Sequence, residues 1–369
     1  VESASPVTDR REALVGRLTE SALNTMEICC VYLGDRLGLY RALRSGLPTT
    51  AAELAAAAGI DRRYAREWLE QQAVAGILEV DSAADPEARR YALSAEHAEV
   101  LLDPDSLNWF APVVQLVVGL TRPLPALLEA FRSGEGISWS AFGADPREGQ
   151  AGQNRPAFLK LLGTEWLPAI PDIHARLADD PSARVADVAC GAAWSSIAIA
   201  RAYPKVRVDG FDSDEASVAL ARANVAEAGL AERVTISTRD AGDPALAGRY
   251  DLVTVFEALH DMSRPVDALR TVRGLLAEGG SVLVMDERVA ETFTAPGDTI
   301  ERMMYGFSVL CCLPAGLAEQ PSAGTGTVMR PATLRRYAHE AGFGDVEILP
   351  IANDLFRFYR LHVRGPAGT

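Results

Sequence analysis

Two acids and one glycine, Asp187, Asp212 and Gly191, stand where strands end and a ligand can be met. The run Asp187-Val188-Ala189-Cys190-Gly191-Ala192-Ala193-Trp194 reads as the turn from a first strand into a helix. Gly191 lets the backbone approach a ligand that a Cβ would exclude. About 20 residues on, Asp212 ends the second strand, where an acid can accept both ribose hydroxyls. A dinucleotide fingerprint needs three glycines, and only Gly191 is present, so a cofactor without a pyrophosphate fits better. Asp187 sits where a carboxylate would face the other end of such a cofactor, which suits a cation. His260, in Glu257-Ala258-Leu259-His260-Asp261, follows the fourth strand at the same crevice and is the best candidate to move a proton. Adjacent Asp261 is badly placed to orient the same ring, whereas Asp286 and Glu287 after the fifth strand are possible partners.

The elements that must position these groups follow from periodicity. From Ala183 onward, apolar strand-like runs (RVADVAC, VRVDGFD, RVTISTRD, YDLVTVFEAL, SVLVMDERV) alternate with helical ones. That pattern predicts a doubly wound parallel sheet, with strands apolar throughout because both faces are covered. The tail adds a helix and two strands, Asp345 to Ile351 and Leu355 to Val363, close enough to pair only as an antiparallel hairpin. The front is helical. Leu14 to Leu43 has apolar residues at helical spacing; Thr49 or Thr50 caps a short Ala-rich helix ended by Gly59, and Asp61 caps the next. Two short β-prone pieces follow, the order of a winged helix. The expected domains are 1–105, helical and winged-helix; 106–180, a helical linker contributing to a substrate pocket; and 181–369, the α/β unit, with a lid insert at about 291–330.

Of 369 residues, 36 are Lys or Arg and 50 are Asp or Glu, a formal charge of −14. That argues against nucleic-acid or anionic-membrane surfaces. The longest apolar stretch is shorter than the roughly 20 residues of a membrane span. The opening VESASPVTDRREAL is polar, without the apolar core of a signal peptide, so a cytoplasmic protein is expected. Five cysteines, two pairs of them vicinal and none in C-x-x-C spacing, argue against a disulfide framework or a zinc site. No cluster of acids suggests another metal.

In order, D-V-A-C-G-A-A, D-G-F-D, R-D-A, Y-D-L-V with a following acid, and G-G before a strand resemble the class I S-adenosylmethionine-dependent methyltransferases. The helical front resembles the dimerisation domain of small-molecule O-methyltransferases of actinobacterial type. The resemblance implies a Rossmann-like, seven-stranded α/β fold and S-adenosylmethionine as cofactor. It implies that Asp187 helps hold the methionine ammonium, and that Ala189 and Gly191 line methionine and ribose with backbone. Asp212 would take the ribose hydroxyls, Asp240 the adenine amino group with Ala241 beside it, and Glu257 would line the methionine end. The L-H-D segment resembles that of plant-type O-methyltransferases, which makes His260 the expected general base for a small, aromatic hydroxyl acceptor. Trp139, Phe142, Trp166, Met303, Met304, Tyr305, Phe307, Cys311 and Cys312 are expected on the acceptor wall, and a homodimer is expected. One departure is Ala193, where the family has glycine. If that residue needs φ > 0, alanine costs about 1 kcal/mol or more; if it is helical, alanine is harmless. Two other readings stay open: a protein of this fold that catalyses something other than methyl transfer, such as a cyclisation, and a ligand-sensing DNA-binding regulator that would use Arg62, Arg63 and Arg66.

Overall fold

A computed structural model describes residues 6–81, 85–180 and 183–363. The chain forms two compact units. One holds the described residues through Val118 together with Glu148–Gln153; the other holds Gly119–Arg147 and the chain from Asn154 onward.

The first unit begins with the long helix Pro6–Arg36. Thr50, not Thr49, caps the helix Ala51–Ala58. Its hydroxyl accepts from Glu53 N–H while Glu53 reaches back to the Thr50 N–H, a capping box, and Gly59 closes the helix at φ 67°. Thr49 instead exchanges backbone hydrogen bonds with Tyr91 at 2.9 Å in each direction. Asp61 caps the next helix, Arg62–Val74. Strands β1 (Glu79–Val80) and β2 (Tyr91–Ala92) pair antiparallel as the wing. Tyr40, Leu54, Trp68, Leu69 and Tyr91 form the core beneath, and the Tyr40 hydroxyl donates to Gln72. The cationic residues of Arg62–Val74 are compensated internally: Arg62 and Arg66 pair with Glu87, and Arg63 with Glu67.

The second unit is a seven-stranded sheet: β3 (Arg184–Val188), β4 (Arg207–Asp212), β5 (Val234–Thr238), β6 (Tyr250–Phe256), β7 (Leu276–Glu287), β8 (Phe343–Ile348) and β9 (Phe356–Val363). Its order is β5-β4-β3-β6-β7-β9-β8. The first five are parallel; β9 runs antiparallel to β7, and β8 antiparallel to β9. One apolar cluster covers each face: Ile197, Val218, Leu283 and Phe358 lie on one side, Val253, Leu269, Leu334 and Tyr359 on the other. Neighbouring β3 and β6 leave the sheet in opposite directions, one toward β4 and one toward β7. This switch point opens a crevice at their carboxyl ends.

Among the described residues no single helix is long and apolar enough to cross a membrane.

Candidate active site

Every acid read from the sequence as a ligand group lies in or just beyond β3 to β7. Asp187 is in β3, Asp212 ends β4, Asp240 follows β5, Glu257 follows β6, and Asp286 and Glu287 end β7. The β3 turn is held by its neighbour. The Cys190 N–H donates to Phe211 O at 3.0 Å, and the Gly191 N–H donates to Asp212 Oδ2 at 2.9 Å. Asp212 Oδ1 accepts the Asp214 N–H, also at 2.9 Å. Burial pushes the Asp212 carboxyl up, against these two backbone bonds, which favour its charged form. Asp214 caps the helix Glu215–Glu227, and Arg147 pairs with it at 2.7 Å.

The backbone of this turn is unusual. Ala189, Gly191 and Ala193 all sit in the left-handed region, at φ 57°, 52° and 64°, and Glu257 joins them at 49°. Only glycine adopts that region freely; for another residue it costs roughly 1–2 kcal/mol. Ala193 therefore carries the strain that the sequence left open, and so does Ala189. These are the only non-glycine residues with positive φ among the described residues, and all three border the crevice. Left-handed backbone held by surrounding structure is characteristic of ligand clamps. A Cβ on Gly191 would meet nothing within 4 Å, so its Cα faces open space, as close approach by a ligand requires. Together with Asp212 this turn fits an adenosine-bearing cofactor.

Asp187 differs from expectation. It is 1% exposed. Its Oδ2 accepts the hydroxyls of Ser195 and Ser196, each at 2.6 Å, and its Oδ1 accepts that of Thr254 at 2.7 Å. Burial raises its pKa, opposed by these three bonds. The carboxylate thus pins the first turn of the helix Trp194–Ala202 to β3 and β6. Asp240 is exposed and caps its own turn, accepting the Gly242 N–H at 2.6 Å; Ala241 packs against the core beside it. The Glu257 N–H donates to Met285 O at 2.8 Å, tying β6 to β7 at the crevice floor.

His260 is 2% exposed and surrounded by acids. Its Nδ1 lies 2.9 Å from Asp286 Oδ1 and 3.1 Å from Glu287 Oε2, and its Nε2 lies 3.2 Å from Asp261 Oδ1. Asp261 does reach the ring, on the nitrogen opposite Asp286. The short helical turn Leu259–Asp261 presents both side chains toward the same space. Burial disfavours the imidazolium, but Asp286, Glu287 and Asp261 outweigh it and hold the ring pKa well above its ordinary value. Burial and the adjacent Asp286 push Glu287 up to about 8, against the pull of His260. Such an arrangement can fix a tautomer and strengthen a base.

The acceptor wall is only partly as expected. Trp139 packs on Phe142 with ring centroids 5.9 Å apart, and Met303 is partly exposed. Trp166, by contrast, is core: it is 2% exposed and packs on Phe358 at 5.0 Å and Phe158 at 6.2 Å. Sequence reasoning missed Ser195, Ser196 and Thr254. A paired serine at the start of a helix that follows a strand acid was the available signal for the first two.

Comparison with known proteins agrees with this geometry. Residues 185–280 match the family model described as "Methyltransferase domain", and residues 26–102 the one described as "Rv2258c-like winged HTH domain". A ubiquinone biosynthesis O-methyltransferase of Pseudomonas aeruginosa is 26% identical over 179 residues, 48% of this chain and 72% of that protein. An O-methyltransferase family protein from Burkholderia thailandensis shares the fold with a TM-score of 0.70 at 16% identity, covering 98% of this chain and 99% of that one. Human N-acetylserotonin methyltransferase, in complex with S-adenosylmethionine, shares it with a TM-score of 0.67 at 16% identity, over 98% and 99% of the two chains. Residues 185–280 therefore form a methyltransferase domain, preceded at residues 26–102 by a winged helix-turn-helix domain, and the chain shares the fold of solved O-methyltransferases.

Proposed function

We propose that this enzyme methylates a hydroxyl of a small, flat, aromatic acceptor, with His260 as general base. The observation that carries the reading is the buried His260 ring at the carboxyl end of β6, oriented through Nδ1 by Asp286 at 2.9 Å. When bound, S-adenosylmethionine supplies an electrophilic methyl group on a sulfonium. In this reading Asp212 takes the ribose hydroxyls, Ala189 and Gly191 line the ligand with backbone, Asp240 and Ala241 hold the adenine, and Glu257 faces the methionine end. Asp187 acts one step back, by fixing the turn through Ser195 and Ser196.

A phenol with a pKa near 10 is mostly protonated at neutral pH. It gives up its proton more readily to a ring whose basicity the neighbouring acids Asp286, Glu287 and Asp261 have raised. The active form is the one that has lost the Nε2 proton while the Nδ1–H still donates to Asp286 Oδ1. Positioning the acceptor and excluding water supply the remaining acceleration.

The homodimer is part of the same reading. The helix Pro6–Arg36 leaves Leu18, Met26 and Leu33 about half exposed or more, a stripe that a second copy would cover. The internal pairing of Arg62, Arg63 and Arg66 favours this packing use of the front domain over DNA binding.

The test has two arms. Mass spectrometry of the purified protein should find bound S-adenosylmethionine or its demethylated product. Turnover against phenols of graded acidity should then show His260→Ala slowed most on the least acidic phenol. Equal rates for His260→Ala and wild type on every phenol would sink the base assignment.

A further inference from the structure

A third kind of donor meets His260. Nε2 of His260, a carboxylate oxygen of Asp261 and Sγ of Cys312 all lie within 4.8 Å of one another. Cys312 comes from the π-helical segment Ser308–Cys312, far along the chain from the Leu259–Asp261 turn. Cysteine spacing along the chain does not report ligands that two distant elements bring together, as these do.

One nitrogen, one oxygen and one sulfur form the mixed donor set of a borderline-soft divalent ion. Zn²⁺ takes such donors at about 2.0–2.3 Å, and sites with three protein ligands keep a fourth position open. Two further features favour a metal. First, the other ring nitrogen, Nδ1, lies 2.9 Å from the buried Asp286. A carboxylate on the far nitrogen is the usual second partner of a metal-bound imidazole; it fixes the tautomer that leaves the Nε2 lone pair for the ion. Second, Asp261 Oδ1 is shut off from solvent and stands 3.2 Å from Nε2, so an oxygen and a nitrogen donor already face each other beside the sulfur. Cys312 is partly exposed and Asp261 is 39% exposed, which leaves an ion a way in.

We propose that His260, Asp261 and Cys312 form a Zn²⁺ site, and that occupancy stops methyl transfer by taking the Nε2 lone pair. The ring nitrogen and the sulfur bind an ion in their deprotonated forms, so occupancy is coupled to proton release. The inhibitory consequence rests on His260 being the base; the site itself does not.

The experiment titrates metal-free full-length protein with Zn²⁺ by calorimetry and with Co²⁺ by absorption, without cofactor or acceptor. Wild type should bind one ion per chain and show a thiolate-to-cobalt charge-transfer band in the near ultraviolet. Cys312→Ser should lose that band. Asp261→Asn should weaken Zn²⁺ binding at least about tenfold while keeping the band, and Asp286→Asn should weaken it by about 10- to 100-fold. No band in wild type, or wild-type Zn²⁺ affinity in both Cys312→Ser and Asp261→Asn, overturns the site. Should Cys312→Ser fail to fold by circular dichroism, the Asp261→Asn titration decides alone. In parallel, turnover of wild type with Zn²⁺ should fall and recover on chelation. A site that binds while turnover is unaffected overturns the inhibition, and with it the tie to His260. Absence of turnover with and without metal counts against the methyltransfer reading and leaves the binding result standing.

Discussion

The Gly191 N–H donates to Asp212 Oδ2 at 2.9 Å, so the end of β4 and the β3 turn are held by one carboxylate. The same group is the proposed ribose ligand. Asp212→Ala should therefore act twice, by removing an acceptor from the cofactor and by loosening the turn. The loss of a hydrogen bond to a charged group, about 1.5–3 kcal/mol, corresponds to roughly 10- to 150-fold weaker binding by calorimetry. The pH dependence has a definite sign. Burial raises the Asp212 pKa above its ordinary 3.8, and ribose hydroxyls donate best to the ionised form. Affinity should fall as pH falls through that raised value, beginning at a higher pH than an ordinary aspartate would give. Asp212→Asn should bind weakly and without this pH dependence.

His260→Ala should slow methyl transfer by roughly 10²–10⁴ while leaving cofactor affinity nearly unchanged. The raised ring pKa predicts that the wild-type rate climbs with pH until the ring has lost its Nε2 proton, then levels. Asp286→Asn removes one of the charges that raise it, so the climb should move to lower pH and the plateau should drop at least about tenfold. A pH–rate profile for each variant checks both shifts. An Asp286→Asn profile that coincides with wild type would remove Asp286 from the proton-handling group.

The left-handed alanines make a prediction about stability. Relieving a positive φ is worth roughly 1–2 kcal/mol, and the extra freedom of glycine in the unfolded chain takes back about 0.4–1. Ala189 is only half-buried, so Ala189→Gly should raise stability by about 0.5–1 kcal/mol. Ala193 is fully buried in the core, and losing its methyl takes away a further ~0.8 kcal/mol. Ala193→Gly should be close to neutral. Denaturant melts of the two variants side by side will show whether that order holds.

Charge placed on the exposed stripe tests the dimer. Met26→Glu or Leu33→Glu should give a monomer by light scattering at micromolar concentration, with circular dichroism unchanged. A wild-type protein that is already monomeric there would set the dimer aside.

What the sequence made legible was local. Gly191, Asp212 and His260 each end or follow a strand, and strand ends are readable from an apolar run that stops. The hairpin was legible for the same reason. The state of Ala193 was not, because residue type alone does not report φ; Ala189, four residues earlier, shares the conformation. The company of His260 was also hidden. Asp261 reaches Nε2 only because the turn Leu259–Asp261 is helical, and Cys312 arrives from another element altogether. Trp166, expected on the wall, is core instead, because a tryptophan's residue type does not tell which apolar surface it meets; here that surface is Phe358.

The position of β9 between β7 and β8 bears on the order in which the molecule can be made. Asp286 and Glu287 stand opposite Arg357 and Phe356 across the β7–β9 ladder. A chain emerging from the ribosome exposes β7 long before its outer neighbour exists. During that interval the far edge of β7 offers unpaired backbone groups, the kind of edge that invites wrong partners. The acids that orient His260 therefore settle last, and a ribosome stalled before β9 would display a cofactor turn already able to form beside a proton-handling cluster that is not.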